Sequence, residues 1–320
     1  MNIFASAHQK YAGYYRVKVR RGDGSIRLDT GWFSNLITNA GLDMIGAFWG
    51  GYNQYTYAFP YLCAVGTGTT TPSITDTQLT TQVGVWPNTS GYGPSFNSTY
   101  VAGPPSYWSL TYTYVFNQGQ IVANISEIGT GAYATSSAVN ITTFSHALIM
   151  SGGTPTTISL TSQDILEVTF ELRVYLNTTD TAYSTTISGT SYSGNIRMSH
   201  ISSTNTNRNG IYPLDTQSSG VSSYLFGAVY NGSIGTVTQD PTGASTSIGT
   251  MSLGSYTPGS YTRSIISNST ISQANLSGGI SAIMIECSLG AWQLSVTPAI
   301  PKDNTKIMTL NFAVSWARYP

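Results

Sequence analysis

The side chains able to do acid–base work are few: 13 Asp and Glu, three His and two Cys in 320 residues. Glu167 and Glu171 stand four apart in the alternating run "DILEVTFELRVY". That spacing puts them on one strand face, about 13 Å apart. A retaining glycosidase needs two carboxyls about 5 Å apart, and an inverting one roughly 6.5–9.5 Å. The pair fails on a single strand, although pairing across strands, such as Glu127 with Glu171, stays open. Glu167 and Glu171 otherwise read as a solvated or interface face, with Arg173 as neighbour to Glu171. Glu286, between Ile285 and Cys287, reads as edge-facing or paired with Arg318. His8, His146 and His200 read as isolated from acids and cysteines, with no zinc spacing. His146, within "FSHALI", reads as a hydrogen-bonded structural histidine. Cys63 and Cys287 form no metal or redox motif, and Cys63 in "YLCAV" reads as a buried free thiol. Gly66, Thr67 and Gly68 lack the Lys-Ser/Thr ending of a phosphate loop. No serine sits in a nucleophile elbow. The chain is therefore expected to be no enzyme and to hold no cofactor or metal.

The elements that must position these residues are strands. In residues 157–175, Leu166, Val168, Phe170, Leu172 and Val174 alternate with polar residues; in residues 299–319, Met308, Leu310, Phe312, Val314 and Trp316 do the same. Period-two alternation marks a half-buried strand. The two runs share a register, since Phe170 and Phe312 have the same offset as Ile158 and Ile300. This suggests one β unit used twice, with convergent strand patterning as the alternative. The expected fold is mostly β: two β-sandwich-like units, duplicated, with one short helix near the N-terminus. The expected division is residues 1–178, a Ser/Thr-rich linker at 179–194, and residues 195–320.

Further elements follow in order. Residues 14–20 and 25–29 flank an Asp-Gly turn and read as a hairpin. The Arg-Gly-Asp at 21–23 reads as turn chemistry. Residues 31–47 carry the helix signal, with Thr38 or Asn39 as cap and Met44, Ile45 and Leu42 following. Residues 86–105 read as a long loop. Residues 106–116 and 121–128 read as a second hairpin turning at 117–120. The Ser/Thr/Gly tracts at 202–209 and 242–272 read as surface loops.

Charged residues make up 8% of the chain and the net charge is zero, while Tyr reaches 22. An average soluble protein carries about 25% charge. A surface so poor in ions has little colloidal protection when free, and Tyr is enriched at protein interfaces. Coverage by neighbours is the expectation. The contact residues expected are Trp49, Tyr52, Tyr55, Tyr57, Trp86, Tyr107, Glu171 and Arg173. The aromatic loops could also stack on a host-surface glycan. The cluster Arg16, Lys18, Arg20 and Arg21 reads as the solvated side of a strand, so nucleic acid is not an expected partner. No segment reaches the length of a membrane span, and residues 1–10 show no secretory signal.

Five motifs occur in a telling order: "NLITNAGLDMIG" (35–46), "VGTGTTTPSITDTQL" (65–79), "NISEIG" (124–129), "FSHALI" (144–149) and "ISLTSQDILEVTFELRVY" (158–175). With the ending "GAWQLSVTPAIPKDNTKIMTLNFAVSWARYP" (290–320), the set resembles tail-associated structural proteins of tailed bacteriophages, labelled tail fibre, collar, neck or minor tail protein. The resemblance covers most of the first half and the last thirty residues; 183–276 lies outside it. It implies a β-rich fold, a homo-oligomer (a trimer or a six-fold-related ring), other tail or neck proteins as partners, and no shared chemistry. It also implies a virion location, after synthesis in the bacterial cytoplasm and release by lysis. His146 stands where the resembled strand carries Arg, which weakens the case for an ionic contact there and leaves the fold unaffected.

Overall fold

The computed structural model describes residues 1–48, 62–86, 95–133, 140–199, 225–287 and 289–320. The first part of the chain forms β1 (Asn2–Arg21), β2 (Ile26–Ile37), α1 (Asn39–Phe48), β3 (Leu62–Gly66), β4 (Gln82–Val85), β5 (Ser95–Val101) and β6 (Tyr107–Phe116). Next come β7 (Asn124–Ile125), β8 (Glu127–Ala132), β9 (Thr142–Leu148), β10 (Met150–Ser151), β11 (Thr154–Pro155), β12 (Ile158–Ser159) and β13 (Asp164–Tyr175). The remainder holds β14 (Thr181–Ile187), β15 (Thr190–Met198), β16 (Leu225–Tyr230), β17 (Ser245–Ser247), β18 (Thr250–Leu253), β19 (Thr262–Ser269), β20 (Ile280–Cys287), β21 (Gly290–Ile300) and β22 (Met308–Arg318). The chain is mostly β, with one helix among the described residues, as the alternation implied.

Strand β1 is the spine. Its second half pairs antiparallel with β13 and β2, while residues 2–11 pair parallel with β22. A 12-stranded sheet therefore runs through β1 and takes strands from both ends of the chain; a six-stranded sheet, β14-β15-β21-β20-β16-β17, lies apart from it. Two sandwich-like stacks share this spine. In one, Tyr15 of β1 crosses the core to Thr130 of β8 and Ser145 of β9, its hydroxyl 3.1 and 2.7 Å from theirs. In the other, Trp292 of β21 packs on Phe312 of β22, ring centroids 5.5 Å apart. Phe170 centres the first core, 5.3 Å from Tyr15, 6.1 Å from Tyr112 and 6.2 Å from Phe144.

The two organising runs are β13 and β22, and their alternating apolar positions are all buried. They do not occupy matching places, because one pairs antiparallel with β1 and the other parallel. Helix α1 begins where the cap residues placed it. Thr38 Oγ1 accepts from the Gly41 N–H at 2.9 Å, which satisfies an orphan donor of the first turn. Gly41 is needed for close approach, since a Cβ there would collide with the Phe144 carbonyl of β9. Trp316 Nε1 donates to the Leu42 carbonyl at 2.8 Å, and Arg318 donates to the Ile37 carbonyl and Asn39 Oδ1. The last strand thus clamps the first helix.

Several expectations are corrected. The 179–194 linker is a regular hairpin, β14 with β15, turning on Ser188 and Gly189, which both take positive φ. The 106–128 segment is no hairpin. Strand β6 pairs with β5 and β13, and the turn at Asn117 and Gln120 sends the chain away to β7 and β8. The long loop at 86–105 contains β5, and the tract at 242–272 contains β17, β18 and β19. These segments escape pattern reading because Ser and Thr occupy their solvent face and part of their buried one, so hydrophobic contrast is low.

Candidate interaction face

The outward face of β2-β1-β13-β6 gathers the charged side chains. Strand β1 presents Arg16, Lys18 and Arg20, and β13 answers with Glu167, opposite Lys18 in register. Lys18 and Arg20 reach Glu167 at 3.5 and 3.1 Å, and Arg16 binds Asp29 of β2 with two hydrogen bonds at 2.9 and 2.5 Å. Arg16 holds the Asp29 carboxyl down at about 2, helped by the Gly31 N–H. Arg27 and Asp164 close the hairpin end at 3.0 Å. Arg16, Lys18 and Arg20 of β1 are thus committed to carboxylates across the strands, the cross-strand pairing expected on an antiparallel sheet.

At the other end of this face lies a tyrosine cluster. Glu171 accepts from Ser109 Oγ at 2.6 Å and from Arg173 Nη2 at 2.9 Å. The Arg173 guanidinium lies over the Tyr14 ring at 4.0 Å and the Tyr107 ring at 4.8 Å. Tyr107 lies 5.5 Å from Tyr175, which stacks on Tyr319 at 3.7 Å with ring planes 16° apart. Lys10 Nζ sits 6.0 Å over Tyr319. Burial and a hydrogen bond with Tyr14 push the Tyr175 hydroxyl up to about 12. The arrangement is an aromatic and guanidinium cluster in which Glu171 and Tyr175 are buried and Tyr319 is exposed. It offers stacking surfaces and hydrogen-bonding edges with no nucleophile among them.

Of the contact residues read from the sequence, Tyr107, Glu171 and Arg173 come together here. Trp86 does not. Its Nε1 donates to the Val115 carbonyl at 3.1 Å and its ring meets Tyr114 edge-on at 5.7 Å. Val115 lies eight residues along β6 from Tyr107, about 27 Å away at strand rise. Trp49, Tyr52, Tyr55 and Tyr57 lie outside the described residues. Sequence reading missed Tyr14, Tyr175 and Tyr319. The first two occupy polar-face positions of β1 and β13, so their alternation was the available signal.

Arg173→Ala is expected to cost about 1–2 kcal/mol in urea unfolding, from two cation–π contacts and one charge-assisted hydrogen bond. Arg173→Lys restores the charge but not the planar stack, so it should recover less than half of that loss.

A second cluster is buried. His146 of β9 bridges two carboxylates, Nδ1 at 2.7 Å from Asp76 Oδ2 and Nε2 at 3.0 Å from Glu127 Oε2. Glu127 also accepts from the Gly68, Thr80 and Thr81 N–H groups at 3.0, 3.0 and 2.7 Å. Burial alone would raise the Glu127 carboxyl, but these donors outweigh it and hold it at about 2. Burial alone would lower His146, but the two carboxylates outweigh it and raise its pKa. His146 is therefore not isolated from acids, and an ionic contact does exist where the Arg of the resembled strand would stand. Its partners lie 19 and 70 residues away, beyond any local pattern. Glu127 and Glu171 do not pair; Glu127 belongs to this cluster and Glu171 to the outer face. The site staples the 67–81 segment to the β8–β9 pair.

No protein-family model, curated protein or solved structure matches the chain. No described helix is long and apolar enough to cross a membrane. Among the described residues, no three His, Cys, Asp or Glu side chains are arranged to hold a metal ion.

Proposed function

We propose that this chain is a structural virion protein of a bacteriophage tail, collar or fibre, acting by assembly with its own copies and with other tail or neck proteins. The observation that carries the reading is the outward face of β2-β1-β13-β6. In a chain with 13 cationic and 13 anionic side chains, that face alone pairs Arg16, Lys18, Arg20 and Arg173 with Asp29, Glu167 and Glu171. Neutralised ions with a tyrosine cluster at one end suit a surface that is covered, since paired charges cost less to desolvate than single ones. The resemblance of the ordered motifs to tail-associated proteins supports the same reading, as does the 8% charge. Electron microscopy of phage particles labelled through this protein tests it: label at the tail or neck is the expected result, and unlabelled particles refute it.

A second reading, a host glycan-binding module, is favoured by the Tyr175–Tyr319 stack, whose outer ring is 36% exposed. Aromatic faces of this kind bind sugar rings by stacking. A host-glycan array on which the isolated protein binds nothing removes this reading.

A further inference from the structure

We infer that the groove over the outer face of β19-β22-β1 binds a neutral oligosaccharide, built from hexose or N-acetylhexosamine units without carboxylate or phosphate. The inference rests on the glycan-binding reading and gives it a site. Outward positions alternate with buried ones on all three strands. Strand pairing sets three small side chains, Ser264, Ala313 and Ser6, next to one another in one row. Asn311 and Phe4 stand on one side of this row, and Ser315 and His8 on the other, each about 7 Å along the strands. The groove above the row is about 680 Å³, and Tyr183 of β14, packed beside β1, also lines it. That volume lies within the roughly 300–1,000 Å³ of small-molecule sites. Phe4 is 59% exposed, while Tyr183 is fixed by its hydroxyl, which donates to the Ser295 carbonyl at 2.8 Å.

Three observations select the occupant. The first is charge. No Lys, Arg, Asp or Glu lines the groove. A smaller pocket of about 180 Å³ continues it, sharing Ser6 and Thr181, and His8 is the only titratable side chain lining that pocket among the described residues. Burial and Lys10 lower the pKa of the His8 ring, so the site is uncharged at neutral pH. A charged ligand would leave water here without a counter-charge. The second is the backbone. Strand β22, under the groove, is paired with β1 on one side and β19 on the other. An extended peptide therefore finds no ladder to join on this floor. The third is the set of unspent polar side chains. His8 Nδ1 lies 2.9 Å from Ser315 Oγ, and Thr309 Oγ1 donates to Asn268 Oδ1 at 3.1 Å. In the rows between those two pairs, Ser6, Ser264 and Asn311 make no side-chain hydrogen bond among the described residues. Hydroxyls and an amide on the floor, with aromatic rings beside them, match a ligand that is neutral, covered in hydroxyls and apolar on its ring faces.

The test begins with the full chain on an array of neutral hexose and N-acetylhexosamine oligosaccharides and of acidic ones bearing uronic acid or phosphate. The neutral oligosaccharide bound best is then titrated by calorimetry against the wild type, Phe4→Ala, Ser6→Tyr and Tyr319→Ala. Phe4 and Ser6 are exposed, so melting temperatures should hold. The expected result is binding of neutral oligosaccharides, with Kd raised about tenfold or more by Phe4→Ala and by Ser6→Tyr. An unchanged Kd in either groove variant overturns the groove and leaves the glycan-binding reading standing. A loss produced by Tyr319→Ala alone overturns it too and moves the site to the Tyr175–Tyr319 stack. Binding confined to acidic oligosaccharides overturns the inference and keeps the broader reading. An array on which nothing binds removes both.

Discussion

A fragment of residues 1–178 is expected to remain unfolded, although it contains the whole of the first core. Cutting there removes β22, the only partner of residues 2–9 of β1 among the described residues. It also removes Trp316, 2% exposed, which fixes the helix through the Leu42 carbonyl and stacks on Tyr256 at 5.7 Å. Arg318 and its two bonds to the helix start go too, as does the Arg263 donation to the Gly46 carbonyl. Losing Trp316 alone, as Trp316→Ala, should cost about 3–5 kcal/mol. That is a large part of the roughly 5–15 kcal/mol by which a domain is stable. Losing the strand as well leaves the first core without enough. Circular dichroism with urea titration of the fragment checks this. A cooperative transition would mean that the first half folds alone.

His146→Leu is the second large effect, about 3–5 kcal/mol, because it strips a buried carboxylate of its charged partner while Glu127 stays buried. The pH dependence identifies the cause. His146 has a raised pKa, so its contribution is complete below about 6.5 and fades as pH rises through the folded value. Glu127 is held at about 2, so its contribution is complete above about 4.5 and fades as pH falls toward 2. The wild type should therefore draw most from this cluster between about pH 4.5 and 6.5. In the variant the loss on the alkaline side should vanish. Urea midpoints from pH 4 to 9 measure both arms. A variant that keeps the wild-type alkaline slope would show that another group titrates there.

How much of this was legible depended on hydrophobic contrast. Strands β13 and β22 could be read because Leu, Val, Phe and Trp alternate with polar residues over their length. The helix could be read because Thr38 precedes correctly spaced apolar residues. The twenty-residue length of β1 could not, since Ala5, Ala7 and Gly13 carry little apolar signal although the strand runs through them. The β14–β15 hairpin looked like a linker because its buried positions include Tyr192 and Ile196 among many Ser and Thr. On the outer face, Glu171 and Arg173 were visible as neighbours along one strand. Their tyrosine partners were not, since Tyr14 meets Arg173 only once β1 and β13 adopt the register that sets Tyr14 opposite Glu171. The His146 cluster is likewise a product of sheet pairing and of the 67–81 segment folding over it.

The proposed function requires that surfaces of this chain be covered by copies of itself. Sedimentation velocity of the intact 34.2 kDa chain across a hundred-fold concentration range asks that question directly. The account predicts one closed species with a mass three times or a six-fold-related multiple of the chain. A single monomeric boundary at every concentration would contradict it.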